Sequence, residues 1–187
     1  MPELKKGMLL YHGSFCEVRQ PDLSKCAKYK DFGQGFYLTS SEEQARNFAK
    51  ISTYKARNIG LSNPAQRYGF VNIFRFENSE GLNAFDYPTA DSEWLHCIVA
   101  HRKYNSFPEL VKQMSPYDVI SGKIANDDTN ASIAAYIQRV FGEIGSEGAD
   151  RICIGLLLPE RLKDQFCFRT DKALAKLSFE GSEKIWL

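Results

Sequence analysis

Three short segments, far apart in the chain, carry side chains that could bind and act on a small polar ligand. His12-Gly13 follows an apolar run, Tyr37 ends a short aromatic segment, and Asp164-Gln165 opens a late segment rich in phenylalanine. An imidazole and a glutamine amide form hydrogen bonds, a tyrosine ring can stack on a flat ligand, and glycine lets the backbone approach closely. If the fold brings these segments together, their residues can form one ligand site.

Each of these residues also has a purely structural explanation. His12 could be an ordinary residue at the end of a strand, where Gly13-Ser14 marks a turn. Tyr37 and Phe48 could both be core rings. The segment Gly33-Gln34-Gly35 precedes a predicted strand rather than a helix, so it does not match the glycine pattern of dinucleotide-binding folds. We expect its glycines to shape a loop.

Hydrophobic periodicity, turn residues and helix caps indicate the elements that must hold these segments. Strands are predicted over 8–11, up to Tyr37, and over 69–77, 82–87, 117–121, 165–169 and 177–186. Helices are predicted after the capping-box pattern Ser40-x-x-Glu43, over 92–104, 129–141 and 146–158, and after Thr170. Strands and helices mix without a βαβ repeat, which favours an α+β fold, and 187 residues fit one domain spanning 1–187.

The last predicted strand but one has two distinct faces. Period-2 alternation places Asp164 and the phenylalanines of this segment on one face, and Gln165, Cys167 and Arg169 on the other. If the phenylalanines face the core, Gln165 faces a cleft.

Composition and charge bear on the class of protein. A net charge of +1 gives no argument for a nucleic-acid partner, and the most apolar run, 152–158, is too short to cross a membrane. The five cysteines show no C-x-x-C spacing and follow no signal-peptide pattern, which predicts a reduced, cytoplasmic protein. The histidines, His12, His96 and His101, are too irregularly spaced for a zinc site, so we expect no metal.

The segments "LLYHGS" and, about twenty residues later, "GQGFYLTSSEEQA" resemble the histidine and tyrosine motifs of one branch of the ADP-ribosyltransferases, the branch of diphtheria toxin and poly-ADP-ribose polymerases. The chain is also similar to a bacterial group of that superfamily with segments like "YDVISGKIAND" and "DQFCFRTDKAL". Some members of that group lie beside a gene for a small partner protein, as toxins do beside antitoxins. The resemblance implies an ADP-ribosyltransferase-like fold, with mixed or antiparallel sheets and flanking helices around an NAD cleft.

The resemblance also implies roles for individual residues. His12 would hydrogen-bond the ribose hydroxyls of NAD, and the Gly13 backbone would pair with the nicotinamide carboxamide. Tyr37 would stack on the nicotinamide ring, and Phe48 would supply a second ring. The two glycines before Tyr37 would let the loop turn tightly beside the ligand.

The third motif departs from the better-known enzymes, which have a glutamate where this chain has Gln165. A glutamine supplies no negative charge to an oxocarbenium-like transition state, although it can still bind a ribose hydroxyl. Transfer of a single ADP-ribose is therefore expected rather than polymer synthesis. Asp127 or Asp118 could supply the missing carboxylate, and Asn126 belongs to the same resembling segment.

The expected function is that of a bacterial, NAD-dependent mono-ADP-ribosyltransferase, with a toxin role suggested by the paired genes. Its acceptor would be a macromolecule, either a protein side chain or a nucleic-acid base, and a small antitoxin could be its partner. Two alternatives remain open: a catalytically silent module that binds NAD or ADP-ribose, and a phosphotransferase-like relative that acts on RNA.

Overall fold

Strands and helices alternate irregularly along residues 3–124, 127–158 and 162–187, which the computed structural model describes. The strands are β1 (Leu9–Ser14), β2 (Phe36–Leu38), β3 (Tyr68–Phe76), β4 (Ala84–Asp86), β5 (Val119–Lys123), β6 (Asp164–Phe168) and β7 (Leu177–Trp186). The helices are α1 (Glu42–Asn58), α2 (Ser92–Arg102), α3 (Pro108–Met114), α4 (Asp127–Ile137), α5 (Glu147–Leu157) and α6 (Asp171–Leu174), with a 3-10 turn at Leu23–Lys25. This mixture confirms the predicted α+β class.

The strands form two sheets that are joined by an isolated backbone bridge. The first sheet has the antiparallel order β1-β3-β7, and the second has the mixed order β2-β6-β5-β4, in which β4 and β5 run parallel. Tyr11 N donates to Thr39 O at 2.8 Å, and Thr39 N donates to Tyr11 O at 3.0 Å. This isolated bridge joins β1 to the end of β2, and within these two strands no further pairing continues it.

Helix α1 lies across the first sheet at very short range. A Cβ on Gly13 would come 2.2 Å from the carbonyl oxygen of Ala45, and one on Gly69 would come 2.5 Å from that of Ala49. Neither distance is possible for a real Cβ, so these positions of β1 and β3 require glycine. The close approach fixes β1, and with it His12, relative to α1.

Strand β6 is buried on both faces because it lies between two apolar cores. Phe166 and Phe168 pack with Phe36 and Phe74 in one core, while Cys167 packs with Trp94 and other α2 residues in the second. This confirms the alternation predicted for the strand. Each fully buried ring stabilises the fold by about 1.5–3 kcal/mol.

Several element bounds differ from the predicted ones. Helix α3 was not predicted. It starts after Phe107, which has a φ of 49°, unusual for a non-glycine residue, and makes no side-chain cap hydrogen bond that could mark the start. Helix α4 was predicted over 129–141 but ends at Ile137, since Arg139 adopts a left-handed conformation with φ of 64°. Among the described residues, no helix combines the length and the apolar character needed to span a bilayer.

Candidate functional site

His12 links the two sheets beside the β1–β2 bridge. Its Nδ1 lies 2.8 Å from the carbonyl oxygen of Tyr37, and its ring centroid lies 4.4 Å from that of Phe36. A carbonyl only accepts hydrogen bonds, so Nδ1 must carry the proton and donate it. Burial lowers the pKa of His12, which favours the neutral ring. Its Nε2 is then an acceptor, and no described residue donates a hydrogen bond to it.

The backbone of Gly13 faces an unpaired edge of β1. Backbone groups of successive strand residues point to opposite sides, and those of Tyr11 point to Thr39. The N–H and C=O groups of Gly13, two residues later, therefore point to the same side, where β1 and β2 are no longer paired. Within β1 and β2, one donor and one acceptor of Gly13 therefore lack a strand partner on this side.

Tyr37 anchors the loop that precedes its own strand. Its hydroxyl donates to the carbonyl oxygen of Gly33 at 2.8 Å and accepts from the N–H of Phe32 at 2.9 Å. Burial raises the pKa of this hydroxyl well above its ordinary value. The hydroxyl of Tyr37 therefore holds the loop in place and is unsuited to proton transfer.

The glycines of this loop are needed for packing against the protein. Gly33 has φ of 82°, and a Cβ on it would come 2.7 Å from the ring of His101. A Cβ on Gly35 would come 2.4 Å from the sulfur of Cys167. The predicted tight turn is present, but both absent side chains would face α2 and β6. These two glycines are thus required for packing within the protein and not for close approach to a ligand.

Gln165 is buried rather than exposed in an open cleft. Only 4% of its surface is accessible, and its Nε2 donates to Asp31 Oδ2 at 2.8 Å and to the carbonyl oxygen of Lys123 at 3.1 Å. The face it shares with Cys167 is covered by the 31–35 loop and α2. The expectation of an open face beside Gln165 was therefore wrong, because the second core covers that face.

The carboxylate nearest to Gln165 is Asp31, which sequence reasoning missed. Arg102 of α2 binds Asp31 Oδ1 through Nε at 2.8 Å and through Nη2 at 2.5 Å, and its Nη1 donates to Asn130 of α4 at 2.8 Å. Asp31 is only 6% exposed. The available signal was its position directly before the glycine loop, at the first residue of "DFGQGFY".

Asp118, one of the two carboxylates suggested from the sequence, is not brought close to Gln165. Asp118 accepts hydrogen bonds from Asn83 N, Thr170 Oγ1 and Lys172 Nζ, and the first of these lowers its pKa most. It precedes Val119, which pairs with Phe168, and lies four residues before Gly122, which pairs with Gln165; this is roughly 13 Å along the strand from Gln165. Asp118 is thus placed to stabilise the fold.

The remaining candidates from the same segment are only partly described. Asn126 lies outside the described residues. Asp127 begins α4, but its side chain also lies outside the described part of the chain. The segment that contains them leaves β5 shortly after Gly122, which pairs with Gln165.

Phe48 lies on α1 as an exposed ring. Its accessible fraction is 44%, whereas Ala45 and Ala49 on the neighbouring face of the helix are buried. These two alanines contact β1 at Gly13. Phe48 is therefore not a core ring. It directly precedes Ala49, one of the two α1 residues that contact Gly13.

Asp164 organises the start of α1. Its carboxylate accepts hydrogen bonds from Thr39 Oγ1 at 3.0 Å, Ser40 N at 2.8 Å and Ser40 Oγ at 2.5 Å. Ser40 is thus occupied, and Ser41 caps the helix by accepting from Gln44 N at 3.3 Å. The predicted cap at Ser40 is wrong by one residue, because a carboxylate distant in sequence binds that hydroxyl.

The other two histidines serve packing. His101 is 8% exposed, and its Nδ1 donates to the carbonyl oxygen of Cys97 at 2.9 Å. His96 lies 2.8 Å from Asp150 Oδ2 and stacks on Phe107. Among the described residues, no group of three histidine, cysteine, aspartate or glutamate side chains could hold a metal ion.

The three predicted motif residues lie on strands that follow one another in space. His12 is on β1, Tyr37 is on β2 and Gln165 is on β6, which pairs with β2. Two strand spacings separate β1 from β6, roughly 10 Å. His12 and Tyr37 are linked directly, and Gln165 lies one strand further, with only a small part of its side chain accessible.

Comparison with known proteins places the chain in a family without assigning it an activity. No curated protein matches it. The family described as "Protein of unknown function (DUF3990)" matches residues 8–179, which is most of the chain. The protein therefore belongs to the DUF3990 family.

Proposed function

We propose that this protein is an NAD-dependent mono-ADP-ribosyltransferase with an ADP-ribosyltransferase-like fold. The observation that carries the proposal is the contact between His12 Nδ1 and the Tyr37 carbonyl where β1 and β2 separate. Gln165 lies on the next strand of the second sheet. The order of these three residues in the chain also follows the resemblance described above.

The β1 edge offers groups that match the nicotinamide half of NAD. The Gly13 N–H can donate to the carboxamide oxygen of nicotinamide, and its carbonyl can accept from the carboxamide nitrogen. The unprotonated Nε2 of His12 can accept a hydrogen bond from a ribose hydroxyl. These contacts orient the nicotinamide ribose without requiring a proton transfer from His12.

In the proposed site, the rings of Tyr37 and Phe48 hold the nicotinamide. Tyr37 has its hydroxyl fixed by the loop, so its ring orientation is set before a ligand binds. Phe48 has an uncovered surface beside the β1 contact of α1. Aromatic stacking on a flat ligand contributes about 0.5–1.5 kcal/mol beyond the buried area.

The reaction proposed for this site breaks the bond between nicotinamide and C1′ of the ribose. The bonding electron pair leaves with neutral nicotinamide, and the positive charge is shared between C1′ and the ring oxygen. A nucleophilic atom of the macromolecular acceptor then bonds to C1′ and loses its proton. Gln165 can orient the ribose through a hydroxyl, and orientation by itself can supply a large part of a rate enhancement.

A catalytically silent NAD-binding or ADP-ribose-binding module is the second candidate. The specific observation that favours it is the amide at position 165, since an uncharged group stabilises an oxocarbenium-like transition state less than a carboxylate does. This candidate shares the same ligand contacts and differs from the enzyme only in turnover.

Release of nicotinamide from NAD distinguishes the two candidates. Purified protein is incubated with NAD, nicotinamide is measured by chromatography, and NAD affinity is measured by calorimetry. The enzyme predicts release that is lost in His12→Ala and retained in Asn47→Ala, an exposed position of α1. Binding without release supports the silent module, and absence of both would contradict the proposed function.

A further inference from the structure

The orientation of the Gln165 amide is fixed by its neighbours. Its Nε2 faces Asp31 Oδ2 at 2.8 Å and the carbonyl oxygen of Lys123 at 3.1 Å. A carboxylate and a carbonyl only accept hydrogen bonds, so the nitrogen, not the oxygen, must face them. Both amide hydrogens are then used, and Oε1 points away from this pair. Within the described part of the chain, no group donates to Oε1.

We propose that Asp31 is a positioning residue for ADP-ribosyl transfer, acting through Gln165. By binding the NH₂ group, Asp31 makes position 165 offer an acceptor oxygen to a ribose hydroxyl, as a glutamate would. The carboxylate that the third motif lacks is thus supplied by Asp31, on the loop before β2, which contacts the side chain of Gln165. This inference rests on the proposed function.

The two oxygens of Asp31 have separate partners. Arg102 binds Oδ1 with two nitrogens, at 2.8 and 2.5 Å, and Gln165 Nε2 binds Oδ2 at 2.8 Å. In Asp31→Asn, the remaining oxygen can stay on Arg102, which places the new NH₂ group against the NH₂ group of Gln165. Two donors cannot bond to each other, so the Gln165 amide must turn and present its nitrogen to the ligand.

The reverse substitution fails for a different reason. Gln165→Glu places a carboxylate oxygen about where Nε2 is now, 2.8 Å from Asp31 Oδ2. Two carboxylates this close do not both stay ionised. Adding the glutamate found in the better-known enzymes is therefore expected to impair this site.

The double variant Asp31→Asn with Gln165→Glu restores a matched pair. The asparagine NH₂ then donates to the glutamate carboxylate, and its oxygen keeps the contact with Arg102. The recovery is partial, because the Lys123 carbonyl, now 3.1 Å from Nε2, would face an oxygen.

The test is a double-substitution cycle on the full chain with two readouts. Nicotinamide release gives kcat and KM for NAD, and thermal unfolding gives Tm. Each single variant is expected to lower kcat by about 10- to 10³-fold with little change in KM. Each is also expected to lower Tm by roughly 3–10 °C. The double variant should recover at least about tenfold in kcat over either single variant, and part of the Tm.

Matched controls and contrary outcomes make the result decisive. Asp171→Asn and Gln113→Glu make the same chemical changes at exposed side chains and should change neither readout. Additive losses in the double variant overturn the proposal, and so does an Asp31→Asn variant with wild-type kcat. If the wild type releases no nicotinamide, the proposed function fails. The Tm values of the four proteins then test the contact between Asp31 and Gln165 by themselves. A higher Tm in the double variant than in either single variant supports Asp31 as the group that holds the amide, and additive losses of Tm overturn it.

Discussion

Gly13 contacts the backbone of α1 so closely that a Cβ would lie 2.2 Å from the carbonyl oxygen of Ala45. The residue after His12 is thus constrained from one side by a helix, while its backbone groups face the unpaired edge of β1. The same glycine therefore serves the packing of the first sheet and the proposed carboxamide contact.

Gly13→Ala is expected to push β1 away from α1 and to lower the free energy of unfolding by about 1–3 kcal/mol, the cost of overpacking a tight contact. Chemical denaturation measures this change. Gly148→Ala is the matched control, because a Cβ at this position of α5 has no atom within 4 Å. It should leave stability unchanged or raise it by about 0.5–1 kcal/mol. Equal effects at both positions would contradict the packing argument.

Two substitutions of Tyr37 should separate the contribution of its ring from that of its hydroxyl. Tyr37→Ala removes the ring and is expected to weaken NAD binding by about 1–3 kcal/mol. Tyr37→Phe keeps the ring but leaves the Gly33 carbonyl and the Phe32 N–H without their partner, so it should cost mainly stability, about 1–2 kcal/mol. Calorimetry and thermal unfolding measure the two effects, with Tyr54→Phe as an exposed control. Unchanged NAD affinity in folded Tyr37→Ala and in His12→Ala would remove the site assignment.

Local signals predicted the elements well where neighbouring residues determine them. Thr170 caps α6 as predicted, accepting from Ala173 N at 3.2 Å, and β7 has the predicted bounds, Leu177–Trp186. Both depend on periodicity and caps within a few residues. Strands β1 and β2 were also predicted, but both end later than expected. β1 continues to Ser14, with Gly13 paired to Val71 where a turn was predicted, and β2 continues to Leu38.

The parts that could not be predicted depend on residues far apart in the chain. The pair Asp31 and Gln165 is separated by 134 positions, and the bond from Ser40 to Asp164 spans 124. No periodicity encodes such partners. The sequence therefore indicated which residues carry chemistry but not which carboxylate stands behind Gln165.

Acid should destabilise the protein through its buried histidines. Burial lowers the pKa of both His12 and His101 below the ordinary value of 6.5. The unfolded chain then binds protons that the folded chain does not, so stability is full above pH 6.5 and falls as the pH drops from 6.5 towards the folded pKa values. Denaturation at pH 7.5 and 5.5 measures the loss. His12→Asn should reduce the pH dependence, and an unchanged profile would count against the buried neutral ring.

Expression in bacteria should slow growth if the proposed transferase acts as a toxin. His12→Ala removes the contact with Tyr37 and the proposed ribose acceptor, so growth should recover at equal protein level. Growth curves with matched expression measure both. Asn47→Ala serves as the exposed control, which should remain as harmful as the wild type. Equal harm from the wild type and His12→Ala would mean that the effect has another cause.

Asp118 and Gln165 should respond differently to truncation, because Asp118 precedes β5 and lies beside the far end of β6 from Gln165. Asp118→Ala leaves Asn83 N and Thr170 Oγ1 without their acceptor and is expected to lower the free energy of unfolding by about 1–3 kcal/mol. Gln165→Ala removes the proposed ribose contact and should slow nicotinamide release by about 10- to 10³-fold.

Nicotinamide release per folded molecule separates the two cases. It should be unchanged in Asp118→Ala, because residue 118 lies roughly 13 Å along the strand from Gln165. Asp118→Asn retains one acceptor oxygen and should recover part of the stability. If Asp118→Ala instead abolishes release in folded protein while Gln165→Ala turns over NAD normally, the catalytic group belongs to the "YDVISGKIAND" segment, and the assignment of Gln165 to the third motif is wrong.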